Sequence, residues 1–207
     1  MYNELYIDCM DILNSSKNLD AATNKVIAEL LKVSSCDAAG IRLQNGDDFP
    51  YFSQSGFSND FIATENAILH QSETGDIKRN SGWGAKLDCF CGMVITGKTI
   101  PNNPLFTAEG SLWSNNAIEA LEHLKSKLSG HHYRNACIHC RYRSIAMVPI
   151  KFKSNIVGLI QLSSKRKGLF TLTAIQKLEQ IAAHIGIALH RQEEEYILRD
   201  ALSQAHV

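Results

Sequence analysis

Two apolar runs of strand length, residues 144–152 and 156–163, are joined by the polar Lys153-Ser154-Asn155, and they constrain this chain more than any other feature. Runs this short and this apolar read as strands, and so brief a polar link makes them an antiparallel hairpin. From residue 172 to 205, Ile175, Leu178, Ile181, Ala182, Ile185, Leu189, Tyr196 and Leu202 then recur on a helical period. The first half of that stripe has a sheet to cover. Beyond about Arg191 the sheet should have ended, so Tyr196 and Leu202 need a partner helix, which the reading assigns to the same helix of a second subunit.

The N-terminal part repeats the theme in reverse order. Residues 5–13 and 19–33 carry apolar residues at spacings of three and four, including Ala22, Val26, Ile27, Leu30 and Leu31, and predict two amphipathic helices. Residues 37–44 alternate as a strand does, and Asn45-Gly46 marks a tight hairpin into residues 51–54. Residues 59–69 read as a helix capped by Ser58, residues 71–86 as a polar surface loop, and residues 118–128 as a further short helix. Helices, hairpin, variable middle, hairpin and long helix make an α+β chain: an antiparallel sheet covered on one face by its terminal helices.

At 207 residues the chain suits one core with helical extensions. Lys plus Arg and Asp plus Glu balance at 21 each, so charge argues for neither nucleic acid nor an anionic membrane as partner. With no signal-peptide pattern and no long apolar span, the expectation is a cytoplasmic protein. In a reducing compartment clustered cysteines are metal ligands, redox thiols or small buried hydrophobes rather than a disulfide framework. Cys9 and Cys36, isolated among apolar neighbours, fit the last role.

The other four thiols form two clusters, Cys89-Phe90-Cys91-Gly92 and Cys137-Ile138-His139-Cys140. Two such pairs brought together could complete a four-sulfur shell for zinc or an iron–sulfur cluster, with His131, His132 or His139 as substitute ligands. The Cys-x-Cys pair is tight for zinc: on an extended segment its side chains point the same way, on a helix they diverge. Covalent haem attachment through Cys-x-x-Cys-His fails because Arg141 follows Cys140, leaving a single cysteine with an axial histidine as the haem alternative. Redox-active thiols and unconnected structural cysteines are the other readings. The cationic run His131, His132, Arg134, Arg141 and Arg143 could favour thiolates, or be a solvated loop.

The run Ser144-Ile-Ala-Met-Val-Pro-Ile-Lys-Phe, the strand Ile156-Val-Gly-Leu-Ile-Gln-Leu, Phe170-Thr171 and then Leu178, Ile181-Ala182 and Ile185-Gly-Ile-Ala188 resemble the C-terminal half of a GAF domain. Cys36-Asp-Ala-Ala-Gly-Ile-Arg-Leu and Phe49-Pro-Tyr-Phe52 fit its N-terminal half. Cys89-Phe-Cys-Gly, Gly110-Ser-Leu-Trp-Ser-Asn115 and Cys137 ahead of Tyr142-Arg143-Ser144 resemble a subgroup found in bacterial and archaeal sensor histidine kinases. The resemblance spans residues 17–192, leaving residues 1–16 as an N-terminal helix and 193–207 as a C-terminal signalling extension. It implies a six-stranded antiparallel sheet with the terminal helices on one face and a ligand pocket on the other. It also implies a homodimer through the terminal helices and a histidine kinase or other signalling partner. With no output domain in these residues, the chain is expected to be an excised or free-standing sensor, or one acting through a partner.

Candidate ligand-binding residues are Arg42, Ser111, Trp113, Asn115 and Tyr142. Residues 110–115 combine an indole, hydroxyls and an amide suited to a small planar or polar ligand, against the alternative of a capped helix start with Trp113 in the core. Arg42 lies opposite Ile41 and Leu43 on its strand, facing the pocket or, by preference, solvent. The resemblance extends more weakly to free methionine-(R)-sulfoxide reductases, through Cys91-Gly92 and Cys137 or Cys140 ahead of Val148-Pro149. That chemistry would make Cys91, Cys137 and Cys140 catalytic, but it requires carboxylates where this chain has Arg141 and Arg143.

Overall fold

The computed structural model describes residues 2–16, 18–70, 86–100, 102–127, 133–134 and 136–204. Two helices open the chain, α1 (Tyr2–Ser15) and α2 (Leu19–Ser34). Asn18 caps α2 by accepting from the Ala21 N–H, and Ser35 ends it in the left-handed region at φ 54°. The first hairpin is β1 (Ala38–Leu43) and β2 (Tyr51–Ser55). Then come α3 (Asn59–Glu65), α4 (Cys89–Ile95), β3 (Leu112–Ser114), α5 (Ala117–Lys127) and α6 (Ala136–His139). The second hairpin, β4 (Ser144–Phe152) and β5 (Asn155–Ser164), leads into α7 (Leu172–Gln204), a single helix of 33 residues.

All strand pairs are antiparallel and the order is β2-β1-β5-β4-β3. The sheet therefore has five strands among the described residues rather than the expected six. Its centre is the β4–β5 hairpin, paired from Ser144↔Ser164 to Phe152↔Asn155, so Asn155 belongs to the strand and the link is shorter than expected. Ser58 caps α3 as expected, but the helix stops at Glu65. The expected loop over residues 71–86 lies outside the described residues except for Lys86.

The two-residue period of the strands sorts side chains into two cores. Ala39 and Ile41, Ala146, Val148 and Ile150, and Ile160 and Leu162 pack against α1, α2 and α7. Ala38, Ile145, Met147 and Leu159 point to the other face, under α3, α4 and α5, with Phe57, Phe61, Phe90, Met93, Leu121 and Leu124. A sheet buried on both faces explains why β4 and β5 read as continuous apolar runs. Gly186 lets α7 cross the sheet closely, since a Cβ there would sit 2.1 Å from the Lys151 carbonyl oxygen. From Arg191 onward every described residue of α7 is exposed, Tyr196, Ile197, Leu198 and Leu202 included, where the sheet was expected to end.

Candidate functional site

Gln161 is the one polar residue within the apolar stretch of β5, and the strand period aims it at the α3–α6 side, where it is 1% exposed. Its Oε1 accepts from the Tyr51 hydroxyl at 2.7 Å and from Cys91 Sγ at 3.5 Å. Its Nε2 donates to Cys137 Sγ at 3.8 Å and to the Ser163 hydroxyl at 3.5 Å. Met147 Sδ stands 4.0 Å from Cys91 Sγ. Three segments distant in sequence, β2, α4 and α6, thus converge on one amide of the central sheet.

Arg42 lies beneath this network and is fully buried, so the preference for solvent was wrong. Its Nη1 donates to the carbonyls of Phe49 and Asn66, both at 2.9 Å, and its Nη2 to that of Glu65 at 2.6 Å. The guanidinium stacks on the Tyr51 ring, 3.6 Å from its centroid. Gly40, one side-chain step along β1, makes room for that ring, since a Cβ there would meet it at 2.6 Å. A second arginine, Arg134, donates from Nη1 to the carbonyls of Thr64 and Ala67 and pairs with the buried Glu65 carboxylate at 3.3 Å. The two guanidiniums clamp the C-terminal turn of α3, where carbonyl oxygens lack helical partners.

Helix α4 separates the Cys-x-Cys pair, as helical geometry requires. Cys91 is buried toward Gln161, whereas Cys89, at φ 60°, accepts the Arg134 backbone N–H on its sulfur at 3.1 Å. Cys89 and Cys137 nevertheless line the same small void, about 10 Å³, with Phe90, Leu121, Tyr133, Ala136 and Ile138. Cys140 follows α6 half-buried beside Tyr142, while His139 is exposed. His131 and His132 lie outside the described residues. Among the described residues no three His, Cys, Asp or Glu side chains are gathered closely enough to hold a metal ion.

Burial governs the thiols. It pushes Cys91 up to about 12 and Cys137 well above the usual thiol range, and it raises Cys89 with help from Glu65. The favourable charges of Arg42 and Arg134 do not overcome it, so these sulfurs are neutral thiols near pH 7.

Of the ligand-binding candidates, Arg42 and Tyr142 are on this side of the sheet, with Tyr142 packed edge-on against Phe57 and Phe61. The other three are elsewhere. Ser111 donates to Glu179 on α7 at 2.6 Å, and Trp113 packs partly against the terminal-helix core. Asn115 ties the Phe170 backbone in place with two bonds of 2.8 Å. Sequence reasoning passed over Gln161, Tyr51, Met147 and Glu65. A lone amide in an otherwise apolar central strand was the available signal for the first.

An antiparallel sheet carries the terminal helices on one face and a buried polar cluster under short helices on the other. Residues 16–190 match the GAF domain family, and the chain belongs to it. This is the family and the α+β class expected from the sequence, and GAF domains are a sensory and regulatory fold. No curated protein is significantly similar in sequence. Solved structures that resemble it include the GAF domain of a Coxiella burnetii phosphoenolpyruvate-protein phosphotransferase, at 12% identity over 95% of this chain and 96% of that one, TM-score 0.64. Others are a free methionine-R-sulfoxide reductase from Neisseria meningitidis, at 11% identity over 94% and 91%, TM-score 0.62, and the domain of a putative two-component sensor histidine kinase from Sinorhizobium meliloti, at 14% over 89% and 99%, TM-score 0.58. Identities this low establish the shared fold alone. No described helix is long and apolar enough to cross a membrane.

Proposed function

We propose that this chain is a non-catalytic sensory module whose input, a change of redox state or a small thiophilic ligand, is registered by the thiols around Gln161 and relayed through the terminal helices to a signalling partner. The observation that carries the reading is the position of Gln161. Its amide joins Cys91, Cys137 and Tyr51 on one face, while its strand neighbours Ile160 and Leu162 pack against the terminal-helix core on the other. In a close-packed interior, a change that turns that amide displaces β5 and is felt by the helices on it. The relay would end in the exposed apolar stretch of α7, paired with the same helix of a second copy.

Sulfoxide reduction is less well supported. A nucleophilic thiol must be a thiolate, and burial opposes that at Cys91 and Cys137. The test is amide hydrogen exchange across residues 172–189 before and after oxidation with diamide, in the wild type and in a C91S/C137S variant. Exchange should change in the wild type and stay constant in the variant; an unresponsive wild type would defeat the reading.

A further inference from the structure

The void between α4 and α6 has a chemistry of its own. Its walls are Phe90, Leu121, Ala136 and Ile138, with Tyr133 at one side, and the groups that could bond a guest most strongly are the sulfurs of Cys89 and Cys137. A space of about 10 Å³ admits a single small species and no cluster or macrocycle. Apolar walls supply none of the oxygen ligands that hard cations require, and two sulfurs fall short of the four ligands zinc takes in structural sites. Soft d10 cations differ: they prefer thiolate sulfur and are satisfied by two donors in line.

We propose that Cys89 and Cys137 form a two-thiolate site for one soft monovalent cation of the copper(I) class. The inference rests on the reading of Cys137 as one of the thiols where the input is received, adds Cys89 to it, and names the ligand. On binding, each thiol releases its proton to solvent as its sulfur–metal bond forms, with no change of oxidation state. Two thiolates and one monovalent cation leave a single negative charge. The Arg134 backbone N–H already donates to Cys89 Sγ at 3.1 Å, and the Arg134 guanidinium is within electrostatic reach of the same sulfur. Neither Cys91 nor Cys140 lines the void, so neither is part of this site.

The experiment is an anaerobic titration of the whole chain with copper(I) against a colorimetric chelator, repeated with zinc(II). The wild type should take up one copper(I) per chain, and C89S and C137S should each weaken binding by about 100-fold or more, while C140S binds as the wild type does. Zinc(II) should compete poorly. Because C137S could disturb packing, the wild type is also pulse-alkylated with and without copper(I), and the sites are read by mass spectrometry. Copper should slow modification of Cys89 and Cys137 and leave that of Cys140 unchanged. Absence of competitive copper uptake, unaltered affinity in C89S and C137S, protection of Cys140, or zinc binding of equal strength would each overturn the proposal. The diamide response of α7 can survive any of these results, so failure of the copper site is distinguishable from failure of the sensory reading.

Discussion

Replacing Arg42 with methionine tests whether the arginine holds the polar side of the sheet together. The side chain is wholly buried and makes three charge-assisted hydrogen bonds, to Phe49, Glu65 and Asn66, while stacking on Tyr51. Each such bond contributes about 1.5–3 kcal/mol and the stacked cation about 1–2 kcal/mol. Against that stands the cost of removing a guanidinium from water, several kcal/mol. Methionine fills a similar volume but leaves three carbonyl oxygens without their donor, so a net loss of about 3–5 kcal/mol is expected. That is a large part of the ~5–15 kcal/mol typical of a domain. Urea unfolding followed by intrinsic fluorescence, with linear extrapolation to water, measures it. R42K should be intermediate, about 2–3 kcal/mol, because an ammonium keeps the charge but cannot spread three bonds in a planar fork or stack as flatly. A loss under about 1 kcal/mol for R42M would mean that water replaces the arginine at the α3 terminus and that the clamp is unimportant. Equal losses in R42M and R42K would refute the role given to the fork.

Alkaline pH should destabilise the fold. Cys91 is raised from 9.0 to about 12 and Cys36 to about 11, so the unfolded chain gives up these protons first. Stability is complete below about pH 9 and falls between pH 9 and 11, by about 1.4 kcal/mol per pH unit for each such thiol. Thermal melts across that range should show a shallower fall in C91S. Gly186→Ala should cost about 2 kcal/mol or more, because the new methyl meets the Lys151 carbonyl and α7 must lift from β4, and chemical denaturation reads the loss directly. The wild type should sediment as a dimer through the exposed stretch of α7 and L198D/L202D as a monomer in sedimentation velocity, with a melting temperature within a few degrees of the wild type. A dimer that persists in that variant would exclude the exposed stretch of α7 as the contact.

The central hairpin and both terminal helical regions could be read from sequence because each obeys a single period over enough residues. The layer that builds the site could not. Helix α4 has seven residues, including Gly92 at its middle, too few turns for a helical stripe to declare itself, and the Cys-x-Cys pair kept two geometries open. For Arg42, strand alternation gave the correct face, but what covers that face depends on α3 and the segment before α6 folding back from elsewhere in the chain. The motif at residues 110–115 looked like a recognition set because hydroxyls, an amide and an indole tie a loop to α7 as readily as they bind a ligand. Only the third dimension separates the two uses.

The length of α7 has a mechanical consequence. About 18 residues separate Gly186, where the helix lies tightest on the sheet, from its described end, a rod of roughly 27 Å at 1.5 Å per residue. A tilt of about 5° about that fulcrum displaces the far end by about 2 Å, a helix shift of the size that switches subunit interfaces. On the proposed reading, a small rocking of the sheet beneath Gly186 would arrive at the far end of α7 multiplied by that lever.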